Sequence, residues 1–248
     1  MDGSVPMQTH ARGPTVIYRR QTALFLAFMA CIFLQHPADC CDGGGGLREI
    51  KEPELAAELR KRFESDQAIR NRIIEFYKEH KLVDGSREFA KLDPLVAEKW
   101  NSLRKEIEAE DMKNRHWMKE VVRKHGWPGK SLVGSQGAMD AWLLVQHADA
   151  DREFQQECLS KMEALPTGEV RAVDIAYLTD RILCGTGKKQ KYGSQVVMKD
   201  GKFIPQPIED EEHVDDRRKA IGLEPLSDYL KTIAKVYGAS TEVKPSKE

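Results

Sequence analysis

The sequence predicts a mainly α fold: a compact multi-helix domain with one short β-hairpin near residues 195–205. Three observations predict it. Apolar residues recur at three- and four-residue steps over most of the chain after Glu54. No alternation of strands with helices marks a βαβ unit. The period changes only once, around Asp200-Gly201, where β-prone residues flank a turn pair.

The first element is an address rather than a part of the fold. Arg19 and Arg20 precede an uncharged run from Thr22 to Leu34. Thirteen helical residues span roughly 20 Å, short of a hydrocarbon core of about 30 Å. The pattern is that of a signal peptide or lipoprotein-type export segment over 1–41. Asp42 and Gly43 to Gly46 open a Gly-rich linker over 42–53. The expected location is therefore periplasmic, cell-envelope or secreted. Two processing routes stay open: a lipid anchor through Cys40 or Cys41, or simple cleavage near Ala38 to Cys41.

A single helical domain is expected over 54–238, followed by a flexible tail over 239–248. Leu55, Leu59, Phe63, Ile69, Ile73 and Tyr77 make the first stripe. Asp84-Gly85-Ser86 breaks it. Asp93-Pro94 is a helix start, an N-cap with proline behind it. The stripe Trp100, Leu103, Ile107 follows, with Asp111 read as the cap of a continuation ending at Gly126. Ala141 to Val145 is apolar on every side, as in a central helix. Asp149 reads as the N-cap of a helix over 151–164, and Gly185 as the C-cap of one over 171–184. Val196 to Ile204 is the hairpin, ended by Pro205 and Pro207. Two helices close the chain, Val214 to Ile221 and Leu226 to Tyr237.

Composition limits the chemistry. Of 248 residues, 39 are Lys or Arg and 40 are Asp or Glu, a net charge of −1. Without residues 1–41 the balance is 36 against 38. Nucleic acid is not an expected partner, because counterion-driven binding needs a basic excess. A membrane is expected to be met only through the N-terminal segment. Beyond that segment the only cysteines are Cys158 and Cys184, which either pair or serve as two small buried hydrophobes. No metal-ligand spacing, nucleotide loop or nucleophile elbow is present, so neither a metal nor a cofactor is expected.

Three stretches carry polar groups where apolar ones are expected. His147, in Gln146-His147-Ala148-Asp149, shares a face with Leu143, Leu144 and Asp140. An ionisable ring there needs a partner or a shifted pKa, in a functional or a structural role. Asp180, in Tyr177-Leu178-Thr179-Asp180-Arg181, lies on the apolar stripe of its helix. Either it forms a structural ion pair, or it faces His147 as an orienting carboxylate. Gly185 to Gln195 mixes glycines with lysines as an anion cradle or a solvated loop does.

Together these residues resemble a known family. Gly126-Trp127-Pro128, Gly134, Gln146-His147-Ala148-Asp149, Tyr177-Leu178-Thr179-Asp180-Arg181 and Gln190-x-Tyr192-Gly193-Ser194-Gln195 occur in the order of a bacterial family catalogued as a domain of unknown function. Asp66-Gln67-x-x-Arg70 is similar to its early element. The resemblance implies no activity. It implies one signature of Asp66, Arg70, His147, Asp180, Arg181, Gln190, Tyr192 and Gln195, expected to converge in space.

Two functional readings follow. The first is a cell-envelope module binding a small polar or anionic ligand, or a protein partner. Asp66, Arg70, Arg181, Gln190, Tyr192 and Gln195 are its ligand-binding candidates. The alternative is a hydrolase-like enzyme with His147 as general acid/base, Asp180 orienting it, and Arg181 or Lys188 holding an anion.

Overall fold

Helix α1 (Pro53–Glu79) takes in the last residue of the expected linker and carries proline in its first turn. The chain is known here from a computed structural model, which describes residues 50–80, 82, 92–199 and 202–237. The export segment, most of the linker, the Asp84-Gly85-Ser86 break, Asp200-Gly201 and the tail lie outside the described residues.

Helix α2 (Pro94–His125) starts as expected: the Asp93 carboxylate accepts from the Leu95 N–H at 2.9 Å. It runs unbroken through Asp111, which therefore caps nothing. Helix α3 (Lys130–Gln146) is interrupted at Gly134, whose φ of 75° only glycine adopts without strain. Helix α4 (Arg152–Glu163) is capped by Asp151, which accepts from the Phe154 N–H at 3.1 Å. Asp149 is thus not the N-cap, and it is free for other work. Helix α5 (Ala172–Gly185) includes Gly185. The left-handed residue that closes it is Gly187, with φ 76°, and Lys188 N–H reaches back to Leu183 O at 2.8 Å.

Strands β1 (Val196–Lys199) and β2 (Lys202–Pro205) pair antiparallel, Val196 opposite Pro205. A 3₁₀ turn (Glu211–His213) leads into α6 (Val214–Ala220), and α7 (Leu226–Tyr237) packs on β2. The architecture is mainly α with a two-stranded antiparallel hairpin.

Helix α3 is the axis of the fold, in contact with α1, α2, α4 and α5. Ala141 to Val145 are at most 1% exposed, because neighbours cover every face of that segment. Trp142 donates its indole N–H to Asp174 O at 2.9 Å and meets Tyr177 edge-on, and Tyr177 meets Tyr229 the same way. A second apolar cluster joins α1 to α2 through Ile73, Phe76, Trp100, Leu103 and Ile107. Cys158 and Cys184 are both buried and unpaired, the small-hydrophobe alternative.

Candidate functional site

Helix α3 ends at His147, which caps it with φ −88° and bonds its own N–H to Leu143 O. The polar chain turn that follows needs acceptors and donors of its own. Gln155 of α4 supplies one, donating Nε2 to the carbonyls of Val145 and Gln146 at 3.0 and 3.2 Å. His147 is thereby held at the mouth of α3, facing α1 and α2, and is 4% exposed.

Arg70 and Asp66, one turn apart on α1, flank the ring. Arg70 Nε donates to His147 Nε2 at 3.1 Å. A guanidinium only donates, so Nε2 holds the lone pair and the neutral ring carries its proton on Nδ1. That Nδ1–H donates to Asp66 Oδ1 at 2.9 Å. Burial, then the Arg70 charge, brings the imidazole pKa down to about 4. Burial also opposes the charge on Asp66, but Arg70 and His147 outweigh it and hold that carboxyl below its usual range.

Arg70 reaches further. Its Nη2 donates to Asp111 Oδ1 of α2 at 2.9 Å, and its Nη1 lies 3.4 Å from Asp66 Oδ1. Asp111 sits among negative neighbours. Burial pushes its pKa to about 7, and Asp66 and Asp149 add to the rise against the pull of Arg70. Ligand atoms of Asp66, Asp111 and His147 all lie within 4.8 Å of one another, close enough for one metal ion. The positive charge among those donors is the guanidinium of Arg70, which touches all three.

Beside this group, Arg181 grips Asp149 with both prongs, Nε to Oδ1 at 2.8 Å and Nη2 to Oδ2 at 2.5 Å. Arg152 adds a bond to Asp149 Oδ1 at 2.8 Å. Burial opposes ionisation of Asp149, yet Arg181 holds it near 2. Asp149 acts electrostatically on Arg70 and Asp111, so Asp66, Arg70, Asp111, His147, Asp149 and Arg181 form one charged cluster made of two hydrogen-bonded groups.

The rest of the signature goes elsewhere. Asp180, next to Arg181 in sequence, turns to the other side of α5. Its carboxylate accepts the backbone N–H groups of Lys191 (2.7 Å), Tyr192 (3.1 Å) and Ser194 (3.0 Å). Burial raises its pKa while those donors pull the other way. Among the described residues it neither pairs with a basic residue nor bonds to His147: the carboxylate on His147 is Asp66. Within the 185–195 stretch, read as an anion cradle or a solvated loop, the backbone N–H groups of Lys191, Tyr192 and Ser194 close on the protein's own Asp180. Gln190 locks the loop, accepting Gln195 N–H at 2.8 Å and donating to the carbonyls of Gln195 and Gln206. Tyr229 Oη donates to Ser194 O, and Arg218 Nη1 donates to Tyr192 O. Gln190, Ser194 and Gln195 are buried, while Lys188, Lys189 and Lys191 face outward. The signature therefore forms two networks, back to back across α5, and not one.

Sequence reasoning missed the place of Asp111 in the cluster and the pairing of Asp149 with Arg181. A signal existed for Asp111: it follows Ile107 by four residues and precedes Met118 by seven, so a carboxylate sits on the buried stripe of α2.

The fold and this cluster define a mainly α protein with a partly buried, internally compensated charge network. A model of the family described as "Family of unknown function (DUF6624)" matches residues 53–243, and the chain belongs to that family. No curated protein and no solved structure matches it.

Proposed function

We propose that this protein is a cell-envelope module that binds a small polar or anionic ligand at the Asp66–Arg70–Asp111–His147–Asp149–Arg181 cluster. One observation carries the reading. The two arginine side chains are almost wholly covered, at 6% and 2% exposure; beside the buried Asp66, a second partner of Arg70, each has one partly exposed carboxylate partner, Asp111 at 21% and Asp149 at 30%. An approaching anion meets those carboxylates first and competes with them for preformed arginine forks. Gln190, Tyr192 and Gln195 belong to the second network, on the other side of α5. The envelope location is supported by the basic-then-apolar N-terminus; among the described residues no helix is long and apolar enough to cross a membrane. The test is mass spectrometry of small molecules retained by the purified protein lacking residues 1–41, with fractionation of cells for location. An anionic compound retained by the wild type and lost from Arg181→Gln is expected. Identical profiles from both proteins would refute the reading.

A second reading is favoured by the Asp66–His147 contact. It is a hydrolase in which His147 is the acid/base group and Asp66 takes the orienting place expected of Asp180. It requires Arg70 to leave Nε2, since that lone pair is occupied. Turnover of ester and phosphoester substrates that vanishes in His147→Gln, with folding intact, would support it.

A further inference from the structure

We propose that the ligand is a small zwitterion of the α-amino acid kind, whose carboxylate takes the outer edge of the Arg70 guanidinium while its ammonium takes the Asp111 carboxylate displaced from that edge. The inference rests on the binding reading above and narrows its ligand to a carboxylate that also carries an ammonium. Its first ground is an unfilled edge. Arg70 Nε is committed to His147, and Nη2 donates to Asp111 Oδ1 at 2.9 Å. Nη1 is buried and has no hydrogen-bond acceptor among the described residues, with Asp66 Oδ1 standing off at 3.4 Å. The Nη1/Nη2 edge of an arginine takes both oxygens of a carboxylate by two parallel bonds. Asp111 makes only one of the two. A ligand carboxylate laid along the edge gains the bond that Asp111 leaves unmade.

The second ground is charge balance. Asp66, Asp111 and Asp149 set three carboxylates against the guanidiniums of Arg70, Arg181 and Arg152. His147 accepts from Arg70 and is neutral. The cluster is therefore balanced before any ligand enters. A plain anion that displaces Asp111 strands a carboxylate beside Asp66 and Asp149, and a largely covered charge without a partner is costly. A plain amine pairs with Asp111 only by taking it from Arg70, which strands the guanidinium instead. A zwitterion exchanges both partners at once and leaves the balance unchanged. An α-amino acid carries its two charged groups on one carbon, which suits a guanidinium and a carboxylate already in contact. Asp111, at 21% side-chain exposure against 6% for Arg70, is the partner that an entering ligand reaches first.

The test is NMR titration of the purified protein at pH 8.0 with three probes of one shape: alanine, propionate, which lacks the ammonium, and ethylamine, which lacks the carboxylate. The wild type is expected to hold alanine about tenfold or more tighter than either of the others, since each of those leaves one covered charge unpaired. Arg70→Gln should lose alanine and propionate alike. Asp111→Asn should invert the preference and hold propionate at least as tightly as alanine, because the fork remains while the partner of the ammonium is gone. A purely structural role for Asp111 would not produce that inversion. Should Arg70→Gln fail to fold, the ranking of the probes by the wild type and Asp111→Asn decides alone. Propionate bound by the wild type as tightly as alanine would overturn the zwitterion and leave the anion-binding reading standing. No binding of any probe to the wild type would overturn the Arg70 site, while the comparison of retained compounds with Arg181→Gln still decides the binding reading separately.

Discussion

Arg70 Nε donates to Nε2 of His147 at 3.1 Å, and this contact sets the state of the ring. It leaves Nδ1 as the only protonated nitrogen, directs that proton to Asp66, and places a fixed positive charge beside a group that would otherwise become positive itself. His147 is therefore a neutral hydrogen-bonding link between a cation and an anion.

The tautomer is directly observable. Nitrogen-detected NMR at pH 7 should show His147 as the Nδ1–H form, with a chemical shift that does not move until the pH approaches 4. A midpoint near 6.5 would contradict the geometry.

The pH dependence of stability has two opposed parts. His147 has a folded pKa below the unfolded value of 6.5, so its contribution is complete above pH 6.5 and is lost as pH falls toward 4. Asp111 has a folded pKa above the unfolded 3.8, so its contribution is complete below about 4 and is lost as pH rises through 7. Relative to the wild type, Asp111→Asn should gain stability steadily as pH rises from 4 to 7. His147→Asn should show the opposite slope, up to a tenfold change in the unfolding constant per pH unit. Urea denaturation at half-unit steps of pH measures both, and parallel profiles for all three proteins would disprove the assignment.

Asp180 is expected to matter for the fold of the 190–195 loop. Asp180→Ala strands three backbone donors and should cost about 3 kcal/mol or more, while Asp180→Asn, which keeps an acceptor, should cost about 1–2 kcal/mol. Hydrogen exchange at Lys191, Tyr192 and Ser194 should accelerate in both variants, with the His147 tautomer unchanged. A shift in that tautomer would show that the two networks are coupled across α5.

Arg181→Lys keeps the charge but loses the fork on Asp149, and about 2 kcal/mol of stability is expected to go with it. A double-mutant cycle with Asp149→Asn should recover most of that loss as coupling energy. Additive losses would mean that the short two-pronged contact contributes little.

Cys158 and Cys184 are buried thiols whose pKa values burial raises, that of Cys184 to about 12. Neither should react with iodoacetamide in the native protein, and both should react after unfolding, without reductant. A requirement for reductant would reveal a disulfide.

The sequence by itself determined what is local. Helical stripes, the Asp93-Pro94 start, the apolar Ala141–Val145 axis and the 196–205 hairpin rest on periodicity and on contacts a few residues apart, so they were legible without a partner. So was family membership, which rests on residue order. Tertiary structure decided which element stands opposite each polar side chain. Asp180 and Arg181 are neighbours in sequence, yet about 100° apart around α5, and so they serve two networks. A helix pattern gives the face on which Asp180 lies; it does not tell that the 191–194 backbone folds over that face, or that Asp66, from a helix 81 residues earlier, comes to His147 in its stead. Asp111 was misread for the same reason. A carboxylate in mid-helix looks like a cap until the guanidinium of Arg70, from another helix, is placed against it. Long-range pairing depends on how whole helices pack, and that is a property of the assembled core.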